Sequence, residues 1–139
     1  MSTEQFKQQH IEILMLAKKI VPLLNMNDVK KESTQILGYL KDLLKDLTIH
    51  LTLEDAILYP KMMRSSNSTV ATTAKKYKDE MGGIAQVAMT YKAKWSTSKA
   101  ISSNPGEFIT ETKGLFAAIQ ERIVREDKIL YPMFDRLES

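Results

Sequence analysis

The sequence predicts an all-α fold, an antiparallel up-down-up-down four-helix bundle. Apolar residues recur at alternating three- and four-residue spacing in four long segments, which is the pattern of a helix with one buried face. Turn-forming residues separate these segments, and no stretch shows the sustained alternation of a strand. Because the chain has 139 residues, the length of one domain, we expect a single bundle domain over 1–139.

The first helix is expected to begin after Ser2, with Ser2 and Gln5 forming a capping box. Pro22 should kink or weaken its last turn, and the stretch 25–28 reads as a turn. The residues at core positions of this helix are Phe6, His10, Ile13, Ala17, Ile20 and Leu24.

The second helix has two polar residues, His50 and Glu54, where its pattern requires apolar ones. Pro60 should end or kink it, and the stretch 64–68 reads as a loop with a cap for the next helix. The core positions of this second helix are Ile36, Leu40, Leu43, Leu47, His50, Glu54 and Ile57.

The third helix is interrupted by Gly82 and Gly83, which predict a bend or a close helix contact. Its core positions are Val70, Ala74, Tyr77, Met81, Ile84, Ala88, Tyr91 and Trp95. A polar loop is expected over 96–106. The fourth helix again has charged residues on its core stripe, which consists of Phe108, Thr112, Leu115, Ile119, Arg122, Glu126, Ile129 and Met133.

The polar core positions are expected to meet in one layer. In an up-down bundle, residues of neighbouring helices at the same depth are equally far from the loop between them. The midpoints between successive polar positions fall in or next to the expected loops, and Tyr77 should border the layer. The predicted layer consists of His10, His50, Glu54, Met81, Arg122 and Glu126.

Imidazoles and carboxylates facing a bundle core are costly unless they are paired or bind a metal. His50 and Glu54 are four residues apart, so both side chains can reach one ion. With His10 and Glu126 they supply enough nitrogen and oxygen ligands for a first-row metal. The alternative is an ordinary hydrogen-bonded core. Tyr77 and Met81 are expected to pack in the core beside the metal position, and Tyr77 could also hydrogen-bond a carboxylate or act as a weak ligand.

Composition excludes several other classes. The chain has no cysteine, which rules out disulfides, iron–sulfur clusters and thiol chemistry. The net charge is only +3, and the basic residues are interspersed with acidic ones. Neither nucleic acid nor a membrane surface is therefore an expected partner. The polar amino terminus lacks the pattern of a signal peptide, and we expect a cytoplasmic protein.

A repeated stretch makes the assignment more specific. His50–Pro60 recurs as Arg122–Pro132, with six of the eleven positions identical, and each copy contains Glu-Asp-x-Ile-Leu-Tyr-Pro. Together with His10 and His50-x-x-x-Glu54, the repeat resembles the hemerythrin-like (HHE cation-binding) proteins over nearly the whole chain. We expect the tyrosines Tyr59 and Tyr131 to pack near the bundle end, and Asp55 and Asp127 to sit at the stripe edge without acting as ligands.

The resemblance implies a metal site, and the departures from it imply a reduced one. In the di-iron members one iron takes its histidines from the first and second helices and the other from the third and fourth. This chain has Tyr77 and Met81 at the third-helix positions and Arg122 at the fourth. The resemblance therefore implies one divalent ion (Fe, Zn or Mn) at most, not a di-iron centre.

The presence of Arg122 allows two interpretations of the polar layer. In the first reading His10, His50, Glu54 and Glu126 hold one metal and Arg122 lies beside it. In the second, the Arg122 guanidinium fills the space of a lost metal, bonds to Glu54 and Glu126, and makes a metal-free ionic network.

These readings correspond to different functions. The first is a metal-binding domain with a sensory, regulatory or storage role, without oxygen carriage. The second is a metal-free bundle that acts through a protein partner or a fused signalling domain. A mononuclear metal enzyme is the third hypothesis, although the sequence shows no substrate pocket.

Overall fold

The structure, a computed structural model, describes residues 3–138, and most of these residues are helical. No strand occurs within these residues, so the predicted all-α class is confirmed. The α-helices are α1 (Glu4–Ile20), α2 (Met26–Lys31), α3 (Ser33–Leu53), α4 (Tyr59–Met63), α5 (Ser68–Lys94), α6 (Ser98–Ser103), α7 (Pro105–Arg125) and α8 (Tyr131–Glu138). The expected capping box at Ser2 lies outside the described residues.

Neighbouring long helices run in opposite directions. Thr3 donates to Asp135 over 2.8 Å and His10 to Asp127 over 2.9 Å, so the partner number falls as the chain advances along α1. In the same way Tyr91 contacts Thr112 at 2.6 Å, and Arg122 further along α7 reaches Glu80 earlier in α5. Helix α1 also packs along α3.

Two π turns interrupt the helices at equivalent places in the repeat. The first, Glu54–Leu58, joins α3 to α4, and the second, Glu126–Leu130, joins α7 to α8. In the first, the Tyr59 N–H donates to the Glu54 carbonyl five residues earlier. A proline inside a helix lacks an N–H and clashes with the carbonyl four residues before it, and the extra residue displaces that carbonyl. Pro60 therefore distorts its helix, which nevertheless continues to Met63 instead of ending there.

The π turns shift which residues face the core. Each adds one residue to its turn, so positions beyond Glu54 and Glu126 rotate relative to an uninterrupted α-helix. The prediction that Ile57 and Ile129 are core residues is therefore wrong: Ile57 is only partly buried, and Ile129 is 46% exposed. The buried residues are instead Leu58, Tyr59, Leu130 and Tyr131.

Two of the expected loops contain short helices. Asn25 caps α2 by accepting from the Asp28 N–H at 2.9 Å, so the stretch 25–28 begins a helix as well as a turn. The expected loop 96–106 contains α6, capped by Thr97, and α7 begins at Pro105, whose missing N–H is harmless in the first turn. The polar residues at these positions cap helices. The same residue types also occur in loops, so their presence in the sequence does not distinguish a helix start from a loop.

Other local expectations have mixed outcomes. The helix after Ile20 tightens to a 3₁₀ turn over Val21–Leu23 at Pro22, as predicted. Asn67 caps α5, also as predicted. The close contact expected at Gly82 and Gly83 is wrong, since α5 is continuous and a Cβ at either position would meet nothing within 4 Å.

The apolar core is divided by a polar layer. On one side a cluster that includes Ile13, Leu47 and Ile119 continues toward α6, and on the other a cluster that includes Phe6 and Phe134 continues toward α4 and α8. Each fully buried large apolar side chain contributes about 1.5–3 kcal/mol. The polar residues between the clusters are thus held on both sides by rigid packing. No helix among the described residues is long and apolar enough to cross a membrane.

Candidate metal centre

Four buried side chains converge between the two apolar clusters. They are His10 from α1, His50 from α3, Glu54 from the first π turn and Glu126 from the second. Each offers one nitrogen or oxygen atom, and these atoms all lie within 4.8 Å of one another. The four are the residues that the sequence predicted as metal ligands; the structure brings them together, and their role as ligands stays a prediction.

The spacing of the four atoms fits one ion. His10 Nε2 lies 3.1 Å from His50 Nε2 and 2.9 Å from Glu126 Oε1. His50 Nε2 lies 3.3 Å from Glu54 Oε2 and 3.6 Å from Glu126 Oε1. Atoms that bind one ion tetrahedrally at about 2.0–2.1 Å are roughly 3.3 Å apart. These four separations lie on both sides of that value, and the two remaining pairs of atoms are separated by no more than 4.8 Å.

The outer nitrogens of both imidazoles are held by acceptors. His10 Nδ1 lies 2.9 Å from Asp127 Oδ1, and His50 Nδ1 lies 2.7 Å from Gln9 Oε1. A carboxylate and an amide oxygen can only accept, so each Nδ1 carries a proton and donates it. This arrangement turns both Nε2 atoms toward the centre, which is how metal-binding histidines are oriented in proteins.

Two tyrosines reach the centre from the opposite repeat. Tyr131 of the second repeat donates to Glu54 Oε2 of the first over 2.8 Å, and Tyr59 of the first donates to Glu126 Oε2 of the second over 3.4 Å. Both tyrosines pack in the apolar cluster toward α4 and α8, as expected, but the reach of their hydroxyls to the centre was not expected. Its cause is the π turn, which brings the residue five positions after each glutamate onto the glutamate's own face.

The centre contains more acceptors than protons. When both imidazoles are neutral, their Nε2 atoms carry lone pairs that face each other across 3.1 Å. Tyr59 donates to the outer oxygen of Glu126, so the hydroxyl proton that faces the inward atoms, within the described residues, is that of Tyr131. Its oxygen lies 3.1 Å from His10 Nε2, 3.4 Å from His50 Nε2 and 3.3 Å from Glu126 Oε1. Buried lone pairs at such distances repel unless a positive charge lies between them. The centre therefore requires an extra proton or a cation.

The pKa values show where a proton would reside. Burial lowers the pKa of His50, but hydrogen bonds to Glu126 and Glu54 outweigh burial and raise this pKa to about 9. Burial and the neighbouring Glu126 charge raise the pKa of Glu54 to about 7. Burial also disfavours ionised Glu126, yet hydrogen bonds with His10 and His50 lower its pKa to about 2. The directions of these shifts favour an imidazolium at His50 beside an ionised Glu126 in the metal-free centre at neutral pH.

Arg122 does not bond to the two carboxylates, as the sequence hypothesis required. Its Nη2 donates to Glu80, one residue before Met81 on α5, and Arg125 donates to the same Glu80 oxygen over 3.1 Å. Both guanidinium carbons lie 5.0 Å from the centre of the Tyr77 ring. The predicted bond is replaced because α5 supplies a carboxylate that is 34% exposed and nearer to solvent than Glu54 or Glu126.

Tyr77 and Met81 lie where the sequence placed them. Tyr77 is buried against the two arginines, and its hydroxyl has no partner among the described residues. Met81 is buried and lines a cavity of about 10 Å³ together with His10, His50, Arg122 and Glu126. Two further buried atoms also lack a hydrogen-bond partner in the described part of the chain, Glu54 Oε1 and Arg122 Nη1.

Sequence reasoning missed Gln9, Glu80 and the orienting role of Asp127. Gln9 and Glu80 each precede a residue of the predicted layer, so neither lies on the core stripe of its own helix. Each side chain instead reaches a layer residue of another helix, Gln9 to His50 and Glu80 to Arg122. Asp127 was placed correctly at the stripe edge, and its carboxylate there is 40% exposed. Acceptors one residue away from each predicted ligand are the signal that would have found them.

Comparison with known proteins gives one match. The family model for the hemerythrin HHE cation binding domain matches residues 1–134. No curated protein and no solved structure shows significant similarity to the chain.

Proposed function

The chain belongs to the hemerythrin HHE cation-binding domain family, and we propose that it binds one divalent metal ion through His10, His50, Glu54 and Glu126. The observation that supports this proposal best is the excess of acceptors. Four inward atoms at ligand-to-ligand distances share one hydroxyl proton, and both imidazoles are held in the orientation that presents Nε2 inward.

The donor set favours a first-row ion. Two imidazole nitrogens and two carboxylate oxygens suit Zn, Fe or Mn, whereas Ca and Mg prefer oxygen alone. A bound ion of this kind supplies a Lewis acid and, if it is iron or manganese, a redox centre. The chain's own part is to hold His10 and His50 through Gln9 and Asp127 and to keep water away with apolar residues on both sides.

A single ion is proposed because the second set of ligands is missing. Tyr77, Met81 and Arg122 stand where the family resemblance places further histidines, and Arg122 is committed to Glu80. Reversible oxygen binding of the hemerythrin kind uses two irons, so we propose a sensory, regulatory or storage role instead. We further propose that the long helices form an up-down-up-down four-helix bundle and that the readout reaches a protein partner or a fused signalling domain.

A metal-free bundle is the second candidate, and one observation favours it. The centre can neutralise itself with a single proton at His50, whose partner Glu126 is ionised. In this form the protonated imidazole would take the place of the metal, a part that the sequence hypothesis gave to Arg122. The function would then lie in contacts of the helix faces with a partner.

Metal analysis separates the two candidates. Protein purified without chelator from medium supplemented with Zn, Fe and Mn should contain one equivalent of metal. The ion should be lost in Glu54→Gln and in His50→Gln, which keep the side chains close to their original size. The neighbouring exposed carboxylate provides the control, because Asp55→Asn should leave the metal content unchanged. Metal-free wild-type protein whose unfolding is unaffected by chelator would favour the metal-free bundle.

A further inference from the structure

An open groove lies at the surface between α3 and α5, beside the first copy of the repeat. Its volume is about 210 Å³, and it continues into a pocket of about 110 Å³ that shares Leu51, Asp55 and Ala85 with it. The α5 wall consists largely of small residues, with Gly82 in the pocket, Ala85 in both and Ala88 in the groove. These small side chains leave the seam between the two helices open.

The groove presents apolar surface to the solvent. Met89 lines it from α5 and is 67% exposed, the highest fraction among the large apolar side chains of residues 3–138. Leu44 and Leu47, which are buried, line it from α3. The thioether chain of methionine is flexible and adapts to irregular apolar surfaces. An exposed apolar side chain at the rim of an apolar groove indicates an interaction surface better than an isolated one does.

Two side chains of opposite charge line the same groove without pairing. Asp55 comes from the first π turn and Lys92 from the last turn of α5, and both are exposed. Neither side chain has a hydrogen bond or ion pair among the described residues. At the equivalent position of the second copy, Asp127 holds His10 on α1. Asp55 faces α5 instead, where Met81 lines the adjoining pocket and has no proton to donate.

The groove is complementary to a second copy of itself. In a two-fold interface the same patch of both copies meets, so a residue pair that forms once forms twice. An axis that crosses the groove midway between Asp55 and Lys92 brings each of them to its opposite charge on the other copy. Met89 lies close to that axis, because it is about midway along α5 between Lys92 and Ala85, which lines both cavities with Asp55.

We propose that the groove between α3 and α5 is the interface of a two-fold symmetric dimer of this chain, with Met89 near its centre and an Asp55–Lys92 ion pair on each side. The proposal does not depend on metal binding. Because the interface is centred on one groove, the dimer should be weak and should dissociate on dilution. In the competing views a different protein occupies the groove, or Asp55 pairs with Lys78, which lines the adjoining pocket of the same chain.

Sedimentation velocity of the full chain over a series of protein concentrations provides the first test. Wild-type protein should show a monomer–dimer equilibrium. Met89→Lys should weaken dimerisation at least about tenfold, because each dimer would bury two new cations near its centre. The matched control is Met15→Lys on α1, since Met15 is 55% exposed and does not line the groove. This control should dimerise as the wild type does.

Reversing the two charges tests the symmetry of the pairing. Asp55→Lys and Lys92→Glu should each weaken dimerisation roughly tenfold, because each places like charges together on both sides of the axis. An equimolar mixture of the two variants should dimerise as the wild type does. In that mixed pair the introduced lysine meets the introduced glutamate, and the native Lys92 meets the native Asp55. Lys18→Glu, in the last turn of α1, is the control that should change nothing.

Three results would contradict the proposal. Wild-type protein that remains monomeric at every concentration would overturn the dimer and leave the groove to a different protein. Equal losses in Met89→Lys and Met15→Lys would place the interface elsewhere on the chain. Charge variants that do not associate on mixing would overturn the two-fold pairing, which is the result expected if Asp55 pairs with Lys78 of its own chain. None of these results affects the proposed metal binding.

Discussion

The two copies of the repeat, His50–Pro60 and Arg122–Pro132, share a backbone and differ in chemistry. Both contain a π turn that begins at the glutamate, and both send a tyrosine to the glutamate of the other copy. They differ at the first residue, where His50 turns toward the centre and Arg122 turns toward Glu80. They also differ after the glutamate, where Asp127 holds His10 and its counterpart Asp55 is exposed. The repeat therefore sets the position of two carboxylates, and the first side chain of each copy decides whether a nitrogen ligand for the proposed metal joins them.

Making the two copies alike should have the largest effect. Arg122→His places an imidazole at the second copy, four residues before Glu126, and Glu54 Oε1 has no partner within the described residues. The metal content should rise from one equivalent toward two. Elemental analysis of the purified variant provides the measurement, and Arg125→His is the control that should remain at one. A ratio of one in both variants would show that the missing third-helix ligands are decisive.

The two glutamates should differ strongly in the metal-free protein. Glu126, whose pKa is lowered to about 2, hydrogen-bonds to His10 and lies 3.6 Å from His50 Nε2. Glu126→Gln therefore removes the partner of the His50 charge and should lower the free energy of unfolding by about 3–5 kcal/mol. Glu54, whose pKa is raised to about 7, is partly protonated at neutral pH, and Glu54→Gln should cost only about 1 kcal/mol. Urea unfolding after chelator treatment compares them, and equal losses would contradict the assignment of charge.

The first residue of the repeat can lose a proton near neutral pH in the first copy, where it is His50, but not in the second, where it is Arg122. The pKa of His50 rises from the usual 6.5 to about 9, so a metal must displace a proton from His50 below pH 9. Apparent metal affinity should increase up to about tenfold per pH unit between pH 7 and 9 and then level off. Competition with a chelator of known affinity at each pH gives the measurement, and an affinity independent of pH would argue that His50 is neutral.

The same shift predicts a pH-dependent stability for the metal-free protein. Between pH 6.5 and 9 the folded chain keeps the His50 proton that the unfolded chain has lost. The stabilisation is complete below the unfolded pKa and disappears as the pH rises through about 9. The melting temperature of metal-free wild-type protein should therefore fall as the pH rises over this range. In His50→Gln the melting temperature should fall less steeply with pH, because the His50 contribution is absent.

The crossed tyrosines should show the smallest difference. Tyr131 is 2.8 Å from Glu54 Oε2, whereas Tyr59 is 3.4 Å from Glu126 Oε2. Tyr131→Phe leaves a buried carboxylate short of a donor and should cost about 1–3 kcal/mol, and Tyr59→Phe less than about 1 kcal/mol. Chemical denaturation of both variants in metal-free form tests this order, which the reverse ranking would refute.

The helices and the polar layer were predictable because they depend on periodicity. A stripe at helical spacing and equal distances from the loops placed His10, His50, Glu54 and Glu126 together. The π turns were not predictable in this way, because one extra residue shifts the period without changing composition. Ile129 is therefore exposed, and Leu130 and Tyr131 are buried in the core instead. The pairing of Arg122 with Glu80 was also missed, because flexible charged side chains choose partners by distance and solvent access, which periodicity does not encode.

The centre joins parts of the chain that are far apart in sequence. Tyr131 lies 121 residues from His10, and Glu126 lies 116 residues from the same imidazole, yet all three meet in one layer. Contacts of this range carry a high loop-closure entropy, so we expect them to form late in folding. A partly folded chain would contain at most the His50–Glu54 pair. Uptake of the proposed ion would therefore be coupled to completion of the fold, and its loss would accompany the first separation of α1 from the second repeat.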